Sequence, residues 1–113
     1  MARVDIVRVD TPEGAAVRGG DPVTVSVTVH PDRDWFKDTE YLVIEFIYAE
    51  YLDIATDISV YLNDITIEDS TAINFKVNAE VGASIGDYYV QIKNTYLKEI
   101  VISGPEDGTI AVS

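Results

Sequence analysis

The chain has 113 residues, enough for one domain with its own hydrophobic core. Hydrophobic residues make up 47% of it, so the net charge of −12 indicates a folded acidic domain and not a disordered acidic tail. With 8 basic against 20 acidic residues, no segment forms a basic surface, which argues against nucleic acid and anionic membranes as partners. The absence of cysteine excludes disulfides, thiol catalysis and thiolate metal sites.

The dominant periodicity along the chain is two, which predicts β-strands with one buried and one solvated face. The first predicted strand, 4–9, changes phase, because its apolar residues move from even to odd positions between Ile6 and Val7. A bulge, or a strand that passes from one sheet to another, explains this change, and a strand buried on both faces explains it equally well. The next strand, Val23–Val29, alternates valine with serine and threonine without a break.

Alternating or apolar runs predict six further strands, at 41–52, 58–63, 73–79, 86–93, 99–103 and 109–112. Loops rich in glycine and proline separate them, such as Gly104–Gly108. About eight short strands at this spacing predict an all-β antiparallel sandwich, a single domain over residues 1–113. The residues expected to point into its core are Val25, Val27, Phe75, Val90 and Ile92.

The segment Gly86-Asp87-Tyr88-Tyr89-Val90-Gln91-Ile92 resembles the start of strand F in immunoglobulin-like and fibronectin-type domains. The resemblance implies that the Tyr88 hydroxyl bonds back to the backbone and that Val90 takes the core position of an antibody cysteine. Gly19–Val29 looks like the loop and strand B of bacterial and phage immunoglobulin-like modules. The chain lacks the cysteine pair and the strand C tryptophan of antibody domains. The resemblance implies an immunoglobulin-like sandwich of about 7–8 strands, which does not determine function.

Catalytic motifs are weak in this sequence. His30 is the only histidine, and no Gly-x-Ser-x-Gly elbow presents a serine nucleophile. Glu40, Glu45, Glu50 and Asp53 lie near several tyrosines, as the carboxylates of glycosidases lie near aromatic residues. A sandwich of this length lacks the long loops that build a substrate cleft, so we expect no enzymatic activity and no cofactor.

A calcium site is the more credible use of the acidic residues. Asp32, Asp34 and Asp38 place carboxylates at near-alternating positions in a predicted loop. The same loop carries Arg33 and Lys37 and has no turn glycine, so these acids are weak metal candidates and solvated loop acids are favoured. We expect calorimetry to detect no calcium site tighter than about 0.1 mM.

Five residues are candidates for partner binding. Trp35 and Phe36 lie in a predicted loop flanked by charge, where they either anchor a protein or sugar or fold inward to plug the sandwich. The following strand is apolar on both faces, and Tyr41, Val43 and Ile47 share the second face. A loop of the same chain or another subunit is expected to cover that second face.

The function follows from these features as an expectation. A small acidic sandwich without a signal peptide in the chain as given is similar to the decoration and accessory proteins that stud phage and virus capsids. We expect a non-enzymatic, multi-copy structural protein of a virion or another assembled extracellular structure. Its partners would be further copies of itself or a capsid or surface protein. The alternative is a carbohydrate- or calcium-binding accessory module, or an adhesin domain, of a larger secreted protein.

Overall fold

A computed structural model describes residues 2–4, 6–29, 35–36, 39–56, 58–60, 65–69 and 71–113. Within these ranges the regular structure is β-strand, apart from short 3-10 turns at Thr39–Tyr41 and Pro105–Asp107. The strands are β1 Ala2–Val4, β2 Ile6–Asp10, β3 Val23–Val29, β4 Leu42–Tyr48, β5 Asp53–Ala55, β6 Ile58–Val60, β7 Thr66–Asp69, β8 Ala72–Ala79, β9 Gly86–Asn94, β10 Glu99–Ile102 and β11 Ile110–Val112. No helix in the described ranges is long and apolar enough to cross a membrane.

The strands form two sheets that pack as a sandwich. The first sheet has the order β1-β10-β9-β4-β5, and the second has the order β2-β3-β8-β6. In the first sheet, β10 and β11 pair with successive parts of the same edge of β9. In the second sheet, β6 and β7 pair in the same way with one edge of β8. The strand pairings of the described residues are antiparallel except that of β1 with β10. The predicted all-β antiparallel sandwich is therefore confirmed.

All eight predicted strand regions contain strand, but β5 and β7 were not predicted. Both are short segments at sheet edges, with three and four residues. Edge strands are held on one side only and are often brief and polar. Their sequences therefore carry little of the alternation that identifies a longer strand.

The phase change in the first predicted strand is a crossing between the two sheets. β1 pairs with β10 of the first sheet, whereas β2 pairs with β3 of the second. The β2–β3 register also shifts between Ile6 and Arg8, as a bulge does. The segment therefore contains both the change of sheet and the bulge that were offered as explanations.

The core lies between the two sheets. The five residues predicted to form it have no exposed surface: Val25, Val27, Phe75, Val90 and Ile92. Phe46 of the first sheet and Phe75 of the second face each other with ring centroids 6.3 Å apart. This contact joins the two layers at their centre.

Trp35 and Phe36 belong to this core. Neither has exposed surface, and their rings meet edge to face with centroids 5.0 Å apart. The Trp35 indole N–H donates to Oε1 of Glu99 at 3.0 Å, and the Trp35 carbonyl accepts from Nδ2 of Asn94 at 2.6 Å. Burial of two large rings with a partner for the indole stabilises the fold more than their exposure would. Of the two alternatives that the sequence left open, the inward plug is therefore the one confirmed, and Trp35 and Phe36 are not an exposed partner anchor.

Tyr88 has the geometry that the resemblance implied. Its side chain is 1% exposed, and its hydroxyl donates to the carbonyl of Ser84, four residues upstream, at 2.7 Å. The neighbouring Tyr89 has the opposite parity and is half-buried. The hydrogen bond ties the loop that precedes β9 to the strand itself.

Replacement of Phe75 tests the assigned core face. Phe75→Ala should lower the free energy of unfolding by about 3–5 kcal/mol, because it removes buried surface and leaves a cavity. The matched control Lys76→Ala lies on the exposed face of the same strand and should change it by no more than about 0.5 kcal/mol. Similar losses for both variants in denaturant unfolding would show that the face is wrongly assigned.

The corner hydrogen bond gives a second test. Tyr88→Phe keeps the ring and removes the hydroxyl, so the Ser84 carbonyl loses its donor. The expected cost is on the order of 1 kcal/mol, measured by denaturant unfolding. Tyr89→Phe is the control and should be nearly silent. The reverse order of costs would place the β9 register one residue away from that described here.

Candidate functional site

The candidate site is the surface of the first sheet that points away from the second sheet. Phe46 of β4 faces the core, so the odd-numbered residues of β4 point outward. The cross-strand register extends these outward positions over β5, β9 and β10 in three rows. The rows are Ile54-Ile47-Tyr89, Glu45-Gln91-Ile102 and Val43-Lys93-Ile100. We call these nine residues the outer face.

Both ends of the outer face are apolar. Val43 is 44% exposed and Ile54 is 54% exposed. The half-buried apolar residues of the face are Ile47, Tyr89, Ile100 and Ile102. Burial of such surface against a partner is worth about 25 cal/mol per Å². The predicted apolar second face of β4 is therefore present, and part of it meets solvent in the isolated chain.

A polar group occupies the centre of the outer face. Lys93 Nζ lies 3.1 Å from Oε1 of Glu45, and Gln91 Nε2 donates to the same oxygen at 2.9 Å. One carboxylate and one ammonium are the charged groups of the nine residues, so the face carries no net charge. The whole chain has a net charge of −12. These nine residues thus form a patch without net charge on a strongly acidic protein, and the exposed Asp87 occupies the next outward position of β9.

The corresponding surface of the second sheet has a different character. Ser26 Oγ donates to Oδ1 of Asn74 at 2.6 Å, and the Asn74 amide in turn donates to the Glu68 carboxylate. Thr24 and Thr28 share the outward parity of Ser26 on β3. Hydroxyl and amide groups bond readily to water, so this surface has no comparable tendency to be covered. The polar and apolar outer surfaces follow the alternation of the β3 and β4 sequences.

The structure separates the residues predicted to bind a partner. Val43 and Ile47 lie together on the outer face. Tyr41 lies immediately before β4, where its ring packs against the exposed Tyr96 with centroids 5.2 Å apart. Trp35 and Phe36 lie in the core and contribute nothing to the outer face.

Sequence reasoning missed four apolar members of the outer face, Ile54, Tyr89, Ile100 and Ile102. Ile54 belongs to the short strand β5, which no periodicity identified. The alternation along β9 places Tyr89 on the face opposite to Tyr88. Which residue of the neighbouring strand lies beside Tyr89 is known only from the register of the structure. In the structure, Ile47 of β4 pairs with Ile54 on one side and Tyr89 on the other. Parity along β9 was the signal that could have placed Tyr89 on this surface.

The residues considered for chemistry do not gather in one place. His30 and the weak metal candidates Asp32, Asp34 and Asp38 lie outside the described residues. In the part of the chain that is described, no group of three or more metal-binding side chains comes together. Glu45 is on the outer face, whereas Glu50 lies in the hairpin between β4 and β5 and bonds to the Tyr48 hydroxyl.

Two comparisons of the sequence with known proteins give no relative. A scan against protein-family models gives no match, and a search of curated proteins gives none. The surface chemistry of this chain is therefore what indicates its function.

Proposed function

We propose that the protein is a non-enzymatic assembly domain that binds further copies of itself through the outer face. The observation that supports this most strongly is a neutral, largely apolar sheet surface on a chain of net charge −12. The resemblance to immunoglobulin-like modules suggests a more specific role for the assembled protein. In this more specific role, the assembled protein is a multi-copy accessory protein of a virion or of a comparable extracellular structure.

The charge pattern favours a second copy as the occupant. A two-fold contact brings the same surface of both subunits together, so the surface has to complement itself. The outer face carries one acid and one base, so Glu45 of one copy can approach Lys93 of the other. Any other surface rich in carboxylates would repel its own copy. The outer face is where two such acidic molecules can approach with little local repulsion.

The size of the face predicts a weak contact. It spans four strands, which lie about 4.8 Å apart. A standard interface buries about 800 Å² on each partner, which is more than a patch of this width supplies alone. Self-association of two free copies should therefore have a Kd of about 10 µM to 1 mM. Repeated weak contacts suit an array, because avidity strengthens each added contact.

Salt should strengthen the association. Every added copy brings twelve further negative charges, which oppose assembly over long distances. At physiological ionic strength the Debye length is about 8 Å, so this repulsion is screened whereas the apolar contact is not. An assembly held mainly by ion pairs would respond in the opposite direction.

Substitution of the outer face should abolish self-association. Val43→Lys with Ile47→Lys removes two apolar side chains and adds charge at two outward positions of β4. Sedimentation velocity at high micromolar concentration should show concentration-dependent association of the parent, stronger in high salt than in low salt. The double variant should be a folded monomer in both conditions, with Kd weakened more than about tenfold.

Thr24→Lys with Thr28→Lys is the matched control. It adds the same two charges at the same spacing, on the polar outer surface of β3. This control should associate as the parent does. A parent that stays monomeric in both low and high salt, or a control that loses association equally, would refute the proposal.

A further inference from the structure

A pocket at one end of the sandwich has a different chemistry from the outer face. It has a volume of about 240 Å³ and lies where the β4–β5 hairpin meets the loop between β8 and β9. Its walls include three tyrosines and three polar side chains, Tyr48, Tyr51, Tyr88, Asp53, Thr56 and Ser84. Ligand sites for drug-sized molecules usually begin near 300 Å³, so this pocket suits one small group. We call it the tyrosine pocket.

The aromatic wall of the pocket is held in place before any ligand arrives. Tyr48 lies with its ring centroid 5.0 Å from that of Tyr88 and 5.7 Å from that of Tyr51. The Tyr48 hydroxyl lies 2.9 Å from both the Glu50 carboxylate and the Ile85 carbonyl, so its proton has two acceptors. A preorganised wall loses little conformational entropy when a ligand binds.

Two unusual backbone conformations support this arrangement. Gly86 has a φ of +143°, and a Cβ there would lie 3.2 Å from the Tyr48 ring, so glycine allows the tyrosine to pack over the backbone. Leu52 has a φ of 58°, which is strained for a residue with a side chain, and its N–H donates to the Tyr48 carbonyl at 2.7 Å. The closed turn presents the neighbouring Tyr51 ring, which is 68% exposed.

The charges around the pocket are negative. Among the described residues no lysine or arginine lines it, and the Asp53 side chain has no hydrogen-bond or ion-pair partner there. The hydrogen bond to Glu50, followed by desolvation, raises the pKa of Tyr48, so its hydroxyl stays protonated at physiological pH. Tyrosine faces also carry negative potential from the ring quadrupole. The pocket therefore attracts cations and repels anions. Its negative potential adds nothing to the affinity for a neutral ligand.

We propose that the tyrosine pocket binds an alkylammonium group, with the tyrosine faces around the methyl or methylene carbons and Asp53 as the counter-charge. Aromatic rings beside a carboxylate bind such cations by cation–π attraction, which is strongest for groups that are weakly hydrated. The group can belong to a small free alkylammonium compound or to a methylated lysine side chain of a partner. The proposal is independent of self-association, although Ile54 borders both the pocket and the outer face.

Choline and its isostere 3,3-dimethylbutan-1-ol have the same shape, but only choline is charged. A comparison of their affinities therefore separates the contribution of charge to binding from that of shape. NMR titration of the full chain should show saturable shifts at Tyr51 and Thr56 with choline, and a Kd about tenfold lower than for the isostere. Equal binding of the two probes would overturn the proposal. Binding of a neutral hexose in the absence of choline binding would also overturn it and would indicate a carbohydrate site.

Matched variants locate the site. Tyr51→Leu and Asp53→Asn should each weaken choline binding about fivefold or more. The controls are Tyr96→Leu, an equally exposed tyrosine at the other end of the sandwich, and Asp87→Asn, an exposed acid away from the pocket lining. Both controls should bind choline as the parent does. Unchanged binding in Tyr51→Leu and Asp53→Asn would refute the assigned pocket.

Two further comparisons complete the test. If the natural ligand is a methylated side chain of a partner, trimethyl-lysine in a short peptide should bind more tightly than choline. If the natural ligand is a small free alkylammonium compound, the peptide should bind less tightly. Either order supports the pocket. The Val43→Lys with Ile47→Lys variant should keep choline binding while it loses self-association. Loss of both in that variant would contradict the independence of the pocket from the outer face.

Discussion

The antiparallel pairing of β4 with β9 determines most of what this molecule presents to its surroundings. It joins residues Leu42 to Tyr48 with Asn94 to Tyr88 in one continuous register. In this register Phe46 and Val90 face the second sheet, and Ile47 and Tyr89 face outward. A slip of one residue would exchange these sets, so the core and the candidate interaction surface depend on the same alignment. Burial of the inward set against Phe75 favours this register, because a slip of one residue would turn Glu45 inward in place of Phe46.

Two sheets of similar construction therefore expose surfaces of different character. The second sheet presents serine, threonine and asparagine, whose hydroxyl and amide groups bond to one another and to water. The first sheet presents isoleucine, valine and tyrosine around a small ion-paired centre. Natural sandwiches avoid contiguous apolar surface unless something covers it. The difference between the two outer surfaces is the physical basis of the proposed assembly.

The core and the main strands could be predicted because they depend on local alternation. Val23–Val29 is a strand with the predicted bounds, and Tyr88 makes the predicted backbone hydrogen bond. Alternation does not reveal what lies opposite a residue. For Trp35 and Phe36 the sequence leaves an exposed anchor and an inward plug both open, because the charged residues that flank them do not show what lies opposite. Asn94 and Glu99, distant in the chain, provide the hydrogen-bond partners of Trp35 in the core. Contacts over such separations depend on the fold.

The tyrosine pocket was beyond prediction for a related reason. The sequence places acids near tyrosines, including Glu50 and Asp53, a pattern that also occurs in glycosidases. The pocket also needs Ser84 and Tyr88, which the fold brings to the β4–β5 hairpin from another loop. Its shape further depends on the backbone conformation of Gly86, which composition alone does not show.

The central claim is that the molecule assembles through the outer face of the first sheet and not through any other surface. The most direct measurement is the change of backbone amide shifts of the isotope-labelled protein on dilution in high salt. The account predicts concentration-dependent shifts at the outward positions of β4 and β9, including Val43, Ile47 and Tyr89, and constant shifts on β3 and β8. Shifts confined to the β3 and β8 surface, or none over the whole concentration range, would contradict it.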